Sequence, residues 1–285
     1  LLARLYLNAK VYSGSERNND VITYTNKVIS SGYSLKSKYS DLFLADNNLN
    51  NPEVILSINY DGLKSQTYGG TTFLVHAAVG GSMAPADFGI GGGWGGLRVT
   101  KNFVNRFTDT NDKRGNFYTQ GQSLEINDLG DFKNGYAFIK YKNVTSTGVS
   151  GSDKSGVFVD TDLPLYRLSD VYLMYAEATL RGGNGSLSTA LGYINALKTR
   201  AGAATISSGD LTLNFILDER SRELSWEFTR RTDLIRFGLF TSSTYLWPWK
   251  GGVKDGKGVE DYRNLFPIPA NDIVANRNLV QNPGY

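Results

Sequence analysis

The chain has 285 residues and a mass of 31.3 kDa, enough for one large domain or two smaller ones with a substantial core. Its 40% hydrophobic and 20% charged residues are a globular balance, and 30 basic against 27 acidic residues leave a net charge of +3, too even for the basic stripe of a nucleic-acid binder. With no Cys and a single His, disulfides, thiolate metal sites, a Cys nucleophile and a His-rich metal centre are excluded, and no apolar run approaches the roughly 20 residues of a membrane-spanning helix.

Taken in chain order, "LLARLYLNAKVYSG" reads as the middle and end of a helix that stops at Gly14. A chain entering in mid-helix, without Met or leader, is expected to be the C-terminal part of something longer. A second helix is expected over Asn18–Ser30, with Val21, Ile22, Tyr24, Thr25, Val28 and Ile29 on its apolar face and Gly32 closing it. Two helices joined by a short polar turn form the unit of a helical repeat. A helical turn near Tyr39–Phe43 and a strand at Glu53–Asn59 follow.

From about Gly62 to Pro164 the pattern dissolves into short strands and long polar or glycine-rich loops, with one short amphipathic helix at Lys101–Phe107 and an alternating strand at Tyr136–Val144. A loop-rich stretch of this length inside a helical chain points to the functional region. Helices return at Leu165–Gly183 and at Leu187–Gly202, the latter with Ser188 as N-cap. A long helix and a shorter one fill Leu211–Gly238. The tail, "NLFPIPANDIVANRNLVQNPGY", has too many Pro and Asn for regular structure. Its apolar residues, from Leu265 and Phe266 to Val280 and Tyr285, are expected to pack it back across the scaffold. The organisation expected is residues 1–61 as helical scaffold and connecting strand, 62–164 as ligand-binding region, and 165–285 as C-terminal scaffold and tail.

Four patterns bear on chemistry. "ILDERSRELSWEF" places Asp218, Glu219, Glu223 and Glu227 beside Arg220 and Arg222. Paired carboxylates serve glycoside hydrolysis, but acids four apart interleaved with arginines are also what a helix needs for ion pairs, and the structural reading is preferred. "TRRTDLIRFG" lacks the companion basic and aromatic residues of a nucleic-acid groove. His76, in the apolar run "TTFLVHAAVGG", reads as a satisfied core histidine rather than a catalytic base. "GIGGGWGGLRV" matches a dinucleotide fingerprint on paper, but no buried strand precedes it and no helix opens at its last glycine.

What remains of that last stretch is a mobile glycine collar presenting Trp94, with Arg98 close by to donate hydrogen bonds to sugar hydroxyls. A second glycine-flanked ring, Tyr68 in "SQTYGGTTF", lies in the same region. Two rings on loops with donors nearby are the minimum for a sugar platform. Spacing alone leaves the alternative open that Trp94 is a buried plug beneath the loops.

"LLARLYLNA", "NPEVILSINYDG", "GGGWGGLRVTKNFVNRF", "LPLYRLSDVYLMYAEA", "ILDERSRELSWEFTRRTDLIRFG" and "LFPIPANDIVANRNLVQNPGY" occur in this order, and together they resemble the RagB/SusD family of outer-membrane nutrient-binding lipoproteins along the whole chain. The resemblance implies a mainly α, SusD-like fold. Tetratricopeptide-type helix pairs form its scaffold, a loop-rich irregular α/β region binds the ligand, and the N-terminal part with its lipid anchor is missing here. It also implies a non-catalytic protein without cofactor, which captures glycan at the cell surface and passes it to a SusC-like TonB-dependent transporter.

Within the family "SQTYGGTTFLVHAAVGGSM" and "DFGIGGGWGG" look most like the starch-binding type, in which an arc of rings follows the curve of an α-glucan. Carried over by motif, Tyr68 and Trp94 would be two rings of that arc, with a third aromatic supplied by the missing part. The starch-binding type carries calcium, but no ligand set matches here and no metal is assigned. The alternatives are capture of another glycan or of peptides, and a glycoside hydrolase. A curved arc of rings favours α-1,4-glucan, and a flat platform favours β-linked chains.

Overall fold

Helices α1 (Leu2–Leu7), α2 (Ala9–Ser13) and α3 (Asn18–Ile29) open the structure, a computed structural model that describes all residues from Leu1 to Tyr285. The single first helix expected from the sequence is divided at Asn8, whose side-chain amide donates to the Arg4 carbonyl at 2.8 Å beside the backbone ladder. Chain contacts divide the residues into two units, Leu1–Arg230 and Arg231–Tyr285.

In the first unit, strand β1 (Val54–Ile58) leads into the loop-rich stretch. That stretch holds α4 (Gly70–Ala77), α5 (Lys101–Val104), and the two-residue strands β2 (Phe117–Tyr118) and β3 (Ala137–Phe138). It closes on β4 (Leu163–Arg167), which pairs antiparallel with β1 so that Val54 faces Arg167 and Ser57 faces Pro164. The loop region therefore enters and leaves through one ribbon. α6 (Leu168–Leu180), α7 (Leu187–Ala201) and α8 (Leu213–Glu223) follow, and α6 packs against α1, α3, α7 and α8.

α6 is buried nearly all round, so its Val171, Leu173, Met174, Ala176 and Ala178 form the centre of the helical core with Val21, Ile22, Ile194, Leu197 and Ile216. A second core lies under the loops, built from Leu42, Phe43, Leu74, Val75, Val79, Tyr141 and Val159.

Four expectations shift. The helix foreseen from Leu165 starts at Leu168, because the residues before it are used in β4. The N-cap of α7 is Ser186, whose hydroxyl accepts from the Thr189 amide, rather than Ser188. The strand at Tyr136–Val144 keeps ladder pairing only at Ala137–Phe138. A helix the sequence did not announce, α4, occupies "GTTFLVHA": it is short, carries two β-branched threonines, and has no polar face to set a period.

The most consequential departure is at α8. The long helix expected from Leu211 stops at Glu223, and Trp226 and Phe228 take left-handed φ values of 57° and 61° before α9 (Arg230–Arg236) begins. Such conformations cost about 1–3 kcal/mol each in non-glycine residues. They turn Glu227 inward, where its carboxylate meets Arg167 at 2.7 Å and Lys140 at 2.6 Å.

These pairs belong to a buried ionic network centred on Glu223. Its carboxylate accepts from Arg167 at 2.6 Å, from Arg114 at 3.0 Å, and from Arg200. Its backbone carbonyl accepts from Tyr39 Oη at 2.9 Å and Arg167 Nη2 at 2.7 Å. Arg114 also reaches Glu219 and Asp112, each at 2.6 Å, and Arg167 and Arg200 both hold Glu53, at 2.8 and 2.9 Å. The acids of "ILDERSRELSWEF" thus hold elements together, as preferred from the sequence.

Burial alone would raise the Glu223 carboxyl, but the guanidiniums of Arg200, Arg167 and Arg114 outweigh it and hold the group well below the usual carboxylate range. Glu219 is lowered in the same way, with burial opposed by Arg114 and Arg222. Burial pulls the Lys140 ammonium down to about 8, against the pull of Glu227.

The second unit runs through 3-10 turns at Lys250–Gly252 and Asp261–Asn264 to α10 (Ala270–Ala275), a helix that the tail's composition argued against. The tail folds onto its own unit. The Gln281 side chain bonds both the amide and the carbonyl of Ile268, at 2.8 and 2.9 Å. Tyr285 donates to the Leu265 carbonyl at 2.9 Å and meets the Tyr262 ring edge-on at 4.9 Å. Arg231 lies 3.9 Å over the Phe266 ring and donates to the carbonyls of Arg263 and Asn264.

Two expected outcomes follow from this packing. Glu223→Gln leaves three buried guanidiniums short of a counter-charge and should lower unfolding free energy by about 3–5 kcal/mol, whereas Asp218→Asn, which removes a half-exposed pair with Arg106, should cost only about 1 kcal/mol. Denaturant titrations measure both. Because the folded-state values of Glu219 and Glu223 are depressed, their contribution is fully present above the unfolded value near about pH 4.3 and is lost as pH falls through the folded values. The acid limb of stability should therefore be shallower in Glu223→Gln. Removal of Asn271–Tyr285 takes away the Gln281 and Tyr285 bonds, and the melting temperature should fall by about 2–4 °C for each kcal/mol lost. An unchanged melting curve would make the tail an appendage.

Candidate functional site

The glycine collar is a cap on helix α4. The last-turn carbonyls of a helix have no partners within it, and here the collar bonds the last two, those of His76 and Ala77, and Val79 just beyond. Trp94 donates its amide to the His76 carbonyl at 2.8 Å, Gly95 to Val79 at 2.9 Å, and Gly96 and Leu97 both to Ala77, at 2.9 and 2.7 Å. Gly93 passes so close that a Cβ there would sit 2.2 Å from the Val79 carbonyl oxygen. The glycines serve close backbone approach, so the collar is pinned where mobility was expected. The phosphate reading fails here too, since the amides of Gly91, Trp94, Gly95 and Gly96 are already engaged.

On this pinned loop Trp94 is 46% exposed, so it is no buried plug. Its inner face stacks on the His76 ring, with centroids 4.8 Å apart and planes at 23°. His76 is itself 3% exposed and bonds the Gly92 carbonyl through Nδ1 at 2.7 Å, fastening the collar a second time. His76 is buried as expected but not fully satisfied, since its Nε2 has no hydrogen-bond partner, and the ring backs the tryptophan.

Tyr68, 65% exposed, comes beside Trp94 with ring centroids 6.4 Å apart and planes tilted by 46°. The half-buried Phe158 buttresses Tyr68 from 5.1 Å. Phe73, 43% exposed, lies 6.1 Å from Trp94 at a tilt of 54°. Sequence reading singled out neither phenylalanine. The available signal for Phe73 was its i,i+3 spacing from His76 on a helix, which sets both rings against Trp94.

Arg98 does not join the rings. Its Nε, Nη1 and Nη2 donate to the carbonyls of Asn134, Gly96 and Leu129 at 2.8–2.9 Å, and its guanidinium lies 6.0 Å from the Phe132 ring. It ties the collar to the loop that follows.

A larger concavity, about 750 Å³, lies in the second unit, where Phe240, Trp247, Phe266 and Tyr285 line it together with Arg231 and Lys250. Both of these cations turn to the protein. Lys250 donates to the Ser242 and Tyr245 carbonyls, and Arg231 is held as described above. The Tyr68–Trp94–Phe73 surface is the better candidate because all three residues are exposed and Trp94 lies 6.1–6.4 Å from the other two rings.

Comparison with known proteins agrees with this architecture. The SusD family model matches residues 116–285. The starch-binding protein SusD of Bacteroides thetaiotaomicron is 34% identical in an alignment covering 100% of this chain and 59% of that protein. SusD-like protein P2 of Formosa agariphila is 29% identical over 88% of this chain and 52% of its own length. The chain therefore spans a little over half the length of these relatives. The structure of surface glycan-binding protein A from Bacteroides thetaiotaomicron in complex with laminarihexaose superposes with a TM-score of 0.73 at 26% identity, over 98% of this chain and 62% of that one. With the helical core, the loop-rich layer and these matches together, the chain belongs to the SusD family.

Proposed function

We propose that this chain is the glycan-capturing part of a non-catalytic surface protein whose ligand is an α-glucan. The observation that carries the reading is the exposed pair Tyr68 and Trp94, tilted by 46° on a loop held by helix-end hydrogen bonds. Apolar faces of pyranose rings stack on such surfaces, and rings inclined to one another suit a chain that curves. Arg98 acts behind the platform, keeping the collar in place. Residues 1–61 and 165–285 serve as scaffold and 62–164 as the ligand-binding region.

Family membership supports the remaining parts of the proposal: a lipid-anchored protein of the outer membrane, partnered by a SusC-like TonB-dependent transporter that receives the oligosaccharide. The absence of catalysis is supported by the carboxylates. Glu219, Glu223 and Glu227 are all buried in ion pairs with arginine or lysine.

A second reading has its own observation. The relative that superposes at a TM-score of 0.73 does so in complex with laminarihexaose, a β-linked glucan, so another glycan is the alternative ligand.

Calorimetry with maltohexaose, laminarihexaose and cellohexaose separates these readings, with maltohexaose expected to bind tightest. An aromatic stack is worth about 1–3 kcal/mol, by analogy with bases on aromatic side chains, so Trp94→Ala should weaken maltohexaose binding tenfold or more at an unchanged circular-dichroism spectrum. Tyr68→Ala should act in the same direction, less severely. Normal binding by Trp94→Ala would remove the platform from consideration. Long incubation with maltooligosaccharides should release no new reducing ends. Turnover that disappears with one Asp or Glu substitution would make the protein a hydrolase.

A further inference from the structure

We infer that the concavity of the second unit is a separate ligand site, and that it takes an acidic sugar, a pyranose carrying a carboxylate or a sulfate. That the ligand is a sugar rests on the glycan-capturing reading above; that it is anionic rests on charge alone. Every residue lining the cleft lies between Arg231 and Tyr285, so one unit builds it. Its volume of about 750 Å³ falls within the roughly 300–1,000 Å³ of small-molecule sites.

Two cations hold the cleft together from inside. Lys250, 3% exposed, donates to the Ser242 and Tyr245 carbonyls and lies 4.5 Å over the Trp247 ring. Arg231 lies 5.0 Å over Phe240 and 3.9 Å over Phe266 while donating to the carbonyls of Arg263 and Asn264. Both are bonded to carbonyl oxygens, and neither is paired with a carboxylate. Carbonyl dipoles satisfy the N–H groups but do not cancel a unit charge. Burial pulls the Lys250 ammonium below its ordinary value, and no acid opposes the shift.

Two more cations stand at the rim. Lys257 and Arg263 are exposed, and neither side chain donates a hydrogen bond to the protein; Arg263 only lies 5.1 Å over the Tyr262 ring. Lys257 is held in place by its backbone. Its amide donates to the Lys250 carbonyl at 3.0 Å, and a Cβ on the neighbouring Gly256 would sit 2.4 Å from the Trp247 carbonyl oxygen. Glu260 is the one acidic side chain of the lining, and it pairs with neither. Four cations against one acid leave the concave wall positive, and such a wall concentrates anions. A neutral sugar would use only the flat faces of Trp247, Phe266 and Tyr285, whereas an acidic one also meets Lys257 and Arg263 with charge-assisted hydrogen bonds. The Tyr68–Trp94 platform offers no such cation, because Arg98 is engaged by carbonyls.

The test is calorimetry on the 285-residue protein with tetragalacturonate, with its fully methyl-esterified form, which keeps the backbone and removes the charge, and with a sulfated galactan tetrasaccharide. At least one acidic ligand should bind, the ester about tenfold more weakly, and the gap should narrow in about 0.5 M salt. Lys257→Gln combined with Arg263→Gln should weaken the acidic ligand about tenfold while maltohexaose affinity and melting temperature stay unchanged. Glu260→Gln should tighten it about twofold or more, which a merely structural role would not predict. Equal binding of acid and ester, or indifference to the Lys257 and Arg263 pair, overturns the inference. Inorganic sulfate competing as well as the sulfated tetrasaccharide refutes a sugar ligand. If no acidic oligosaccharide binds while Trp94→Ala loses maltohexaose, the second site falls and the platform stands. If acidic ligands bind while Trp94→Ala keeps maltohexaose, the platform falls and the second site stands.

Discussion

Glu223 is the residue on which the two layers of the first unit depend. Its carboxylate and carbonyl together receive Arg114, Arg167, Arg200 and Tyr39, which come from the loop-rich layer, the β4–α6 junction, α7 and the 3-10 turn near Tyr39. A buried charge of this kind is a weak stabiliser compared with apolar packing, but removing one member leaves the others uncompensated. The two cores, one helical and one beneath the loops, could slide past each other if only apolar contacts joined them. Directional pairs at 2.6–3.0 Å define one register between them. The left-handed turn at Trp226 and Phe228 is explained by the same demand, since it delivers Glu227 to Arg167 and Lys140.

Much of this was legible in the chain and some was not, for physical reasons. α3, α7 and the 3-10 turn at Tyr39–Phe43 have clear caps or apolar periods and fall where the pattern put them. The ionic character of the acids in α8 was also readable from their spacing with arginine. What could not be read were outcomes of tertiary pairing. β4 takes the first residues of an apparent helix because β1 offers a partner more than a hundred residues away. α4 is invisible to periodicity because nearly all its side chains are buried. The tail's α10 is set among prolines and asparagines by contacts such as those of Gln281, which composition does not reveal.

The collar shows how the exposure of a ring can be foreseen by an incomplete argument. Glycines around Trp94 suggested freedom of the backbone, and freedom suggested adaptation to cargo. In the structure the glycines remove Cβ atoms that would strike the carbonyls of Val79, Asn143 and Ser155. Close approach then allows three collar amides to cap α4 and a fourth to bond Val79 just beyond it. The ring on such a loop is ordered before any ligand arrives, so little conformational freedom remains to be lost on binding. Arg98 is read differently for the same reason: its three bonded donors build the loop that carries the ring.

A platform of pinned rings without charge also sets the scale of affinity. Association costs an estimated 4–15 kcal/mol in lost translational and rotational freedom, while each aromatic stack returns only about 1–3 kcal/mol. A few such stacks offset only part of that cost, so rings alone would bind a sugar chain weakly. A charged or deeply enclosed site would bind more tightly and release more slowly, because differences in affinity between related sites lie mostly in the dissociation rate. Rigidity in the loop and weakness in the contact are compatible.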